Sequence, residues 1–428
     1  MKKNIGLFIF IILIQVLGFS ITYNQAVKDV FKNNPDINLM KENIKAADYS
    51  IKKTISSYFP SLDFNGRYTR IGITPEFEIP GMGSFKFGTP NNYNFRLTTQ
   101  YMLYDWNRRG NLKAISEKNK TIIGNSYTLL KKNIAWTIAN IFSSYNILLK
   151  SKNIFESNLN TLKEHLKSVK KRYEAGIVSS YDLLSTKVQI SKTEAQILDI
   201  EKGLKNMELS LKQLLNKDEN IKIDGTVELL PIQFEEKELV KIALSNREDI
   251  KNLLVQKSMI DVQKKINKTA LLPIVAFQAN YELRNGMLPD IDKLKSNWNL
   301  NFTIAYKIFD GFKTKYQDKI LSVQETQLFL KIESLKRKIK TDIAKSLTNI
   351  FSFEKSLQKE SEKLKLAEEA YRTVVKAYRE GAVSNIDVLN ANSNLKLAKL
   401  SILKIKNQII MEKLKIINTI GLKFWRLK

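Results

Sequence analysis

Residues 173–184 read YEAGIVSSYDLL, and residues 378–389 read YREGAVSNIDVL. Tyrosine, glycine, valine, serine, aspartate and leucine recur at the same places in both stretches, and a long helical pattern flanks each stretch on both sides. A glycine in the left-handed conformation commonly ends a helix. A serine followed three residues later by an acidic residue commonly starts the next one. The two stretches are therefore predicted to be tight turns between antiparallel helices.

The sequence around these turns is duplicated. Each half has two short helical stretches, two stretches of apolar–polar alternation, one very long helical stretch and its return after the turn. Alternation over about ten residues indicates a strand with one apolar face, and apolar spacings of three and four indicate a coiled-coil seam. The glycine- and proline-rich segment 71–93 predicts a loop. The predicted elements are strands at 61–70, 94–105, 274–284 and 297–309, and helical hairpins at 108–216 and 313–421.

An export signal is predicted in front of the duplication. Lys2 and Lys3 precede an apolar run, and Gly18 and Ser20 have the small side chains that signal peptidase prefers, so cleavage is expected after Ser20. No cysteine follows the run, so no lipid anchor is expected. The expected organisation is a signal peptide at 1–20, a first repeat at 21–216, a linker at 217–233, a second repeat at 234–421 and a tail at 422–428.

The composition argues against metal and catalytic sites. The chain has no cysteine and a single histidine, His165. The usual zinc sites need several such ligands, so neither a metal site nor a cofactor is expected. His165 lies among charged residues of a helical stretch and is interpreted as a solvated surface residue. No cluster of nucleophile, base and orienting group stands out, so no catalytic residue and no enzymatic activity are expected.

The strong positive charge has two interpretations. The formal net charge is +27, from 70 lysines and arginines against 43 acidic residues. Nucleic acid binding is one interpretation of such an excess. The lysines are spread along every helical stretch and interleaved with acids, however, and an export signal precedes them. Solvated helix faces are therefore favoured, and no nucleic acid partner is expected.

The four predicted strands could belong to either of two architectures, an outer-membrane barrel or a small soluble sheet. They are long enough to cross an outer membrane, and tyrosine and tryptophan lie along them or at their ends. The alternative is a small soluble sheet, but the helices carry only narrow apolar seams and leave nothing to cover its apolar face. The smallest single-chain barrels of outer membranes have eight strands, and lipid does not tolerate an open edge. Several copies are therefore expected to pool their strands.

The order of the predicted elements resembles that of the TolC-like outer-membrane efflux proteins. This family comprises the outer-membrane factors of tripartite efflux or type I secretion systems. The resemblance covers residues 22–421. It rests on the duplication, on the two Tyr-x-x-Gly-x-Val-Ser-x-x-Asp-x-Leu turns, and on Pro60 and Pro273 at the start of strands. It implies a mainly α-helical protein with membrane β-strands. Four strands per chain would contribute to a trimeric, twelve-stranded barrel, and the coiled-coil hairpins would form a periplasmic tunnel.

The resemblance also implies a function and its partners. The expected protein is a homotrimeric exit duct in outer-membrane lipid, used for efflux of small molecules or for type I secretion. A periplasmic adaptor (membrane fusion) protein and an inner-membrane pump or ABC transporter would dock at the hairpin tips. The docking residues implied by the resemblance are Gly176, Val178, Ser179, Gly381, Val383 and Ser384. The alternative function is a soluble exported coiled-coil scaffold or adaptor protein.

Two residues after the second turn are candidates for the aperture. Family members narrow the closed tip with an acidic residue just past this turn, and the matching residue is Asp387. A second carboxylate three residues further on occurs in some members, and here that residue is Asn390. Asp387 also stands three residues after Ser384, as Asp182 does after Ser179, and this spacing predicts a helix cap. Both roles of Asp387 stay open at the level of sequence.

Overall fold

The computed structural model describes residues 19–74, 76–81, 83–86, 88–225 and 235–423. The predicted signal peptide, except for Phe19 and Ser20, and the last five residues of the predicted tail lie outside these ranges. In chain order the described elements are β1 Phe19–Ile21, α1 Tyr23–Asn33, α2 Pro35–Ser56, β2 Ser61–Arg70, β3 Glu76–Ile79, β4 Gly83–Lys86, β5 Asn91–Tyr104, α3 Arg108–Glu174, α4 Ser180–Leu215, β6 Ile221–Ile223, α5 Glu236–Asn246, α6 Glu248–Lys268, β7 Ile274–Arg284, β8 Lys295–Ala305, α7 Lys313–Arg379 and α8 Asn385–Thr419.

The chain divides into two compact units, which are described separately. Unit one consists of the described residues within 1–40, 127–248 and 335–428, and unit two of the described residues within 41–126 and 249–334. The long helices α3 and α7 have 67 residues each, which corresponds to about 100 Å at the rise of an α-helix. None of the described helices has an apolar stretch long enough to cross a membrane.

Unit two contains a four-stranded antiparallel sheet in the order β2-β5-β7-β8. The two repeats meet at the pairing of β5 with β7. The register aligns the apolar positions of all four strands: Phe64 lies opposite Leu97, Leu97 opposite Tyr281, and Tyr281 opposite Trp298. This apolar face is open, and Phe64 and Trp298 are about 70% and 69% exposed. The sheet therefore has the two-faced character that the alternation predicts.

Amides and ion pairs cover the other face of the sheet. The side chain of Asn280 accepts a hydrogen bond from Thr98 at 2.8 Å and donates one to Asn299 at 2.8 Å. Glu282 forms ion pairs with Arg96 at 2.8 Å and with Arg284 at 2.9 Å. The Arg96–Glu282 ion pair joins β5 to β7 and so stabilises the register of the sheet, whereas the Arg284–Glu282 pair lies within β7.

The structure differs from the sequence prediction at several places, and β5 begins at Asn91, three residues before its predicted start. The predicted loop 71–93 contains a short antiparallel hairpin, β3–β4, because Gly81 and Gly83 supply the positive φ values of its turn. The predicted strand 297–309 begins at Lys295 and ends at Ala305, since Ala305 pairs with Ile274, the first residue of β7. The predicted linker 217–233 contains β6, which pairs in parallel with β1.

The pairing of β1 with β6 also bears on the predicted cleavage site. Ser20 Oγ donates a hydrogen bond to the Asp224 carboxylate at 3.1 Å, and Ile21 lies fully buried in the core. A cut after Ser20 would remove two of the three residues of β1. Residues 226–234 of the linker lie outside the described part of the chain.

The main apolar core of unit one joins α1, the middle of α3, the end of α4 and the end of α8. Phe142, Leu211 and Leu414 are fully buried in it. Lys132 is also buried, and its ammonium donates to the Glu248 carboxylate and to the Gly421 carbonyl oxygen at 2.5 Å. A buried charge is tolerated when it is paired and hydrogen-bonded in this way.

Candidate functional site: the tips of the two helical hairpins

Both hairpin turns end their first helix with a left-handed glycine. Gly176 has φ +73° and Gly381 has φ +81°. In the first turn the Ile177 N–H donates to the Arg172 carbonyl at 2.8 Å and the Gly176 N–H to the Tyr173 carbonyl at 2.9 Å. The second turn repeats both bonds, from Ala382 to Ala377 at 2.9 Å and from Gly381 to Tyr378 at 3.1 Å. This is the Schellman motif, which satisfies the last carbonyls of the helix.

Both return helices begin with a capping box. The Ser179 N–H donates to the Asp182 carboxylate at 3.1 Å, and the Asp182 N–H donates back to Ser179 Oγ at 3.3 Å. The corresponding distances for Ser384 and Asp387 are 2.9 and 3.4 Å. The Ser384 hydroxyl and N–H, which both donate to the carboxylate, lower the pKa of Asp387 below its ordinary value. The helix-cap role that the spacing predicts for Asp387 is therefore present.

The two tips pack against each other through an apolar cluster. Val169, Tyr378 and Val388 are buried there, and the two turn valines, Val178 and Val383, are half-buried against them. The remaining four residues of the predicted docking set are exposed: Gly176, Ser179, Gly381 and Ser384. The valines therefore help to hold the hairpins together, while the glycines and serines face outward.

Asn385 links the hairpins with polar contacts that the sequence analysis missed. It is 2% exposed, and its Nδ2 lies 3.1 Å from the Asp182 carbonyl oxygen, 3.2 Å from Ser185 Oγ and 3.2 Å from Thr186 Oγ1. Its Oδ1 lies 2.7 Å from His165 Nε2. The sequence carries a signal for this role, because Ser180 occupies the matching place in the first turn and only the second copy has the longer amide.

Arg172 adds a second polar link between the hairpins. Its guanidinium donates to the Tyr378 carbonyl at 2.6 Å and to the Arg379 carbonyl at 3.2 Å. Its guanidinium carbon lies 4.8 Å from the centroid of the Tyr378 ring, within the range of a cation–π contact. The last turn of α7 is thus held by a side chain of α3.

The interpretation of His165 as a solvated residue is wrong. The side chain is half-buried, and its ring centroid lies 5.2 Å from that of Tyr378. Burial lowers the pKa of His165 below its ordinary value, and the hydrogen bond with Asn385 offsets part of this decrease. The pattern of α3 alone could not show the burial, because α7 and α8 cover this face.

The two aperture candidates lie on the exposed side of the first turns of α8. Asp387 and Asn390 are both exposed, whereas Val388 and Leu389 between them are buried. Asp182, the counterpart of Asp387 in the first hairpin, is half-buried. Across the described ranges, no group of three or more histidine, aspartate or glutamate residues lies close enough to hold a metal ion.

Comparison with known proteins agrees with this arrangement of duplicated hairpins and paired strands. The sequence profile of the outer membrane efflux protein family matches residues 26–217 and 239–422. The chain belongs to the outer membrane efflux protein family. It is an exit duct of the outer membrane that serves efflux. The fold class and location inferred from the sequence are thereby confirmed.

Solved structures show the same fold at low sequence identity. VceC from Vibrio cholerae is 16% identical with a TM-score of 0.79, over 94% of this chain and 96% of that chain. CmeC from Campylobacter jejuni is 16% identical with a TM-score of 0.77, over 93% and 85%. MtrE from Neisseria gonorrhoeae in its open state is 14% identical with a TM-score of 0.75, over 94% of this chain and 89% of that chain. No curated protein sequence matches the chain.

Proposed function

We propose that the duct is a homotrimer in which each chain contributes β2, β5, β7 and β8 to one twelve-stranded barrel. The observation that carries this proposal is the sheet itself: β2 and β8 each pair with one strand of the sheet, and the apolar face is exposed. An unpaired edge in hydrocarbon leaves backbone groups unsatisfied at several kcal/mol each. Pairing β2 of one copy with β8 of the next removes both edges without any change in the chain.

Engineered disulfides test this assembly, since the chain has no cysteine of its own. We expect Asn65→Cys on β2, combined with Asn297→Cys, Asn299→Cys or Asn301→Cys on β8, to yield covalent trimers of the detergent-purified protein on denaturing gels. The control pair joins β5 to β7 within one chain, through Thr98→Cys and Asn280→Cys, which face each other in the register. That pair should give monomers only. A stable, uncrosslinked monomer with intact strand content would contradict the trimer.

We propose that the exposed part of the tips docks a periplasmic adaptor protein, which connects the duct to an inner-membrane pump or ABC transporter. The exposure of Gly176, Ser179, Gly381 and Ser384 at both turns supports this. We expect a photo-crosslinking amino acid at Tyr181 or Ile386, which are 67% and 46% exposed, to capture the adaptor in cells. Phe351, on α7 and 60% exposed, is the control position. Equal capture of the adaptor at Phe351 would contradict the proposal that the tips are the docking surface.

We propose that the second tip also forms the gate and that the chain carries no catalytic site. The family is one of channel proteins. Asp387, with Asn390 about one turn further along α8, would line the aperture where three copies converge. The difference in exposure between Asp387 and Asp182 supports this assignment, since Asp387 is exposed and Asp182 is half-buried. The cap and the gate are compatible roles, because the cap fixes the position of the carboxylate.

A further inference from the structure

A second polar cluster lies inside the helical layer of unit one, about one to two turns of α8 beyond the aperture candidates. Lys396 and Asn392 on α8 are 7% and 5% exposed, and Asn158 on α3 is 8% exposed. Lys396 Nζ lies 5.2 Å from the centroid of the Phe155 ring. Lysine and asparagine are rarely buried to this degree unless they are paired.

Lys396 differs in this respect from Lys132, the other deeply buried lysine described above. Lys132 has the Glu248 carboxylate and the Gly421 carbonyl oxygen as acceptors. Among the described residues, Lys396 forms neither an ion pair nor a hydrogen bond, and its contact is with the face of the Phe155 ring. Burial is the cause that lowers the pKa of Lys396 below its ordinary value, and no neighbouring carboxylate opposes it.

A cavity of about 230 Å³ lies beside this lysine. Its lining is rich in hydrogen-bond donors and includes Lys396, Lys399, Asn392, Asn158, Ser157 and Tyr371. Asn158 Oδ1 is buried without a hydrogen-bond partner, so the polar groups of the cavity do not satisfy one another. No aspartate or glutamate is among the described lining residues. The cavity thus combines apolar walls with ammonium and amide donors, is positively charged, and is large enough for a small ion with one or more waters.

We propose that this cavity binds a small inorganic anion, held by the ammonium of Lys396 together with Asn392 and Lys399. An unpaired ammonium is costly to bury, and a bound counter-ion removes most of that cost. A water that accompanies the ion would donate to Asn158 Oδ1. The size of the cavity and its mixed amide and ammonium donors suit chloride or a single tetrahedral oxyanion.

The location of the cavity gives the anion a structural consequence. Its walls come from both hairpins, with Ser157 and Asn158 on α3, Tyr371 on α7 and Asn392 with Lys396 on α8. A bound anion therefore adds a link between the hairpins below the Asn385 contacts. The proposed anion site does not depend on the trimer, on adaptor docking or on the gate, because all the lining residues named above belong to one chain.

Anion-dependent stability of the purified full-length protein is the first test. Sodium gluconate is exchanged for sodium chloride or sodium phosphate at constant ionic strength and pH, and the melting temperature is recorded. Ligand binding to the folded state predicts a saturable rise in melting temperature. We expect the rise in the wild type and in the surface control Lys359→Met, whose side chain is 80% exposed, and its absence in Lys396→Met. An equal rise in all three proteins, or none in the wild type, overturns the proposal.

Bromide soaking of crystals locates the ion directly. We expect an anomalous peak beside Lys396 Nζ in the wild type and its loss in Lys396→Met. If Lys396→Met fails to fold, Asn392→Leu serves instead, because it fills part of the cavity, retains the lysine and should weaken the peak. Water alone in the cavity, or a carboxylate from a neighbouring copy beside Lys396, overturns the proposal.

Discussion

The two hairpin turns have the same backbone conformation but differ in the side chains that extend from each turn to the other hairpin. Each turn has a left-handed glycine, a Schellman motif and a serine–aspartate capping box with nearly equal distances. Asn385 in the second turn reaches into the first hairpin, whereas the first turn has Ser180 at the matching place. Asp387 is exposed, whereas Asp182 is half-buried. Duplication thus supplies the common backbone conformation, and a few substitutions give the second tip different contacts and a different exposure.

Replacement of Asn385 should produce the largest difference between the tips. Asn385→Ala leaves the Asp182 carbonyl, Thr186 and His165 without their buried partner, and a lost buried partner costs about 1–3 kcal/mol. We expect amide hydrogen exchange at residues 180–190 to accelerate by roughly 5- to 100-fold. The matched variant Ser180→Ala in the first turn should stay within about 0.5 kcal/mol of wild type. Equal acceleration in both variants would mean that the asymmetry has no energetic consequence.

Replacement of the turn glycines should, in contrast, act equally on both tips. Gly176 and Gly381 have similar positive φ values, and a Cβ atom at either position would meet no heavy atom within 4 Å. The penalty for Gly176→Ala or Gly381→Ala is therefore one of backbone conformation alone, about 1–2 kcal/mol. Hydrogen exchange of the peptides that span each turn measures it. A much larger effect at one turn would show that the two backbones are not equivalent.

Acid should weaken the packing of the tips through His165 before it weakens the caps. The pKa of His165 is lowered in the packed state, so the packed state is fully stable above the ordinary pKa of about 6.5 and loses stability as the pH falls below it. The lowered pKa of Asp387 places the loss of its cap near or below about pH 3.9. We expect exchange near His165, corrected for intrinsic rates, to rise between pH 7 and 5 in the wild type.

The control for this pH dependence is His165→Gln, which retains a hydrogen-bonding side chain and does not titrate. In this variant, amide exchange near residue 165, corrected for intrinsic rates, should not change between pH 7 and 5. If the variant and the wild type respond alike, a group other than His165 controls the packing of the tips at mildly acidic pH.

The parts of the fold that depend on local sequence could be predicted, and those that depend on distant pairing could not. Gly176 and Ser179 act within a few residues of the chain, so their turn and cap are visible in the sequence. The end of β8 depends on where β7 begins, and β6 forms only because β1, about 200 residues away, lies beside it. Neither partner is encoded in the segment itself.

The same distinction holds at the candidate site. The cap role of Asp387 is predictable because its spacing from Ser384 repeats that of the first turn, whereas its aperture role is an expectation from the family resemblance alone. His165, Asn385 and Lys396 acquire their environments from helices of the other hairpin, and the pattern of one helix gives only its own exposed and buried faces. The difference between Ser180 and Asn385 was visible in the repeat, but its meaning required the contact with Asp182.

Single-channel recording of matched aspartate variants tests the central claim, that the second tip alone forms the gate. As caps, Asp182→Asn and Asp387→Asn should each cost well under about 1 kcal/mol, so a difference in current between them reports on the aperture. Three close carboxylates repel one another, and a bound cation relieves that repulsion. The account predicts that in planar bilayers Asp387→Asn alone changes the conductance and abolishes block by divalent or trivalent cations added from the periplasmic side. Equal currents and equal cation block in the two variants would contradict it and leave Asp387 as a helix cap only.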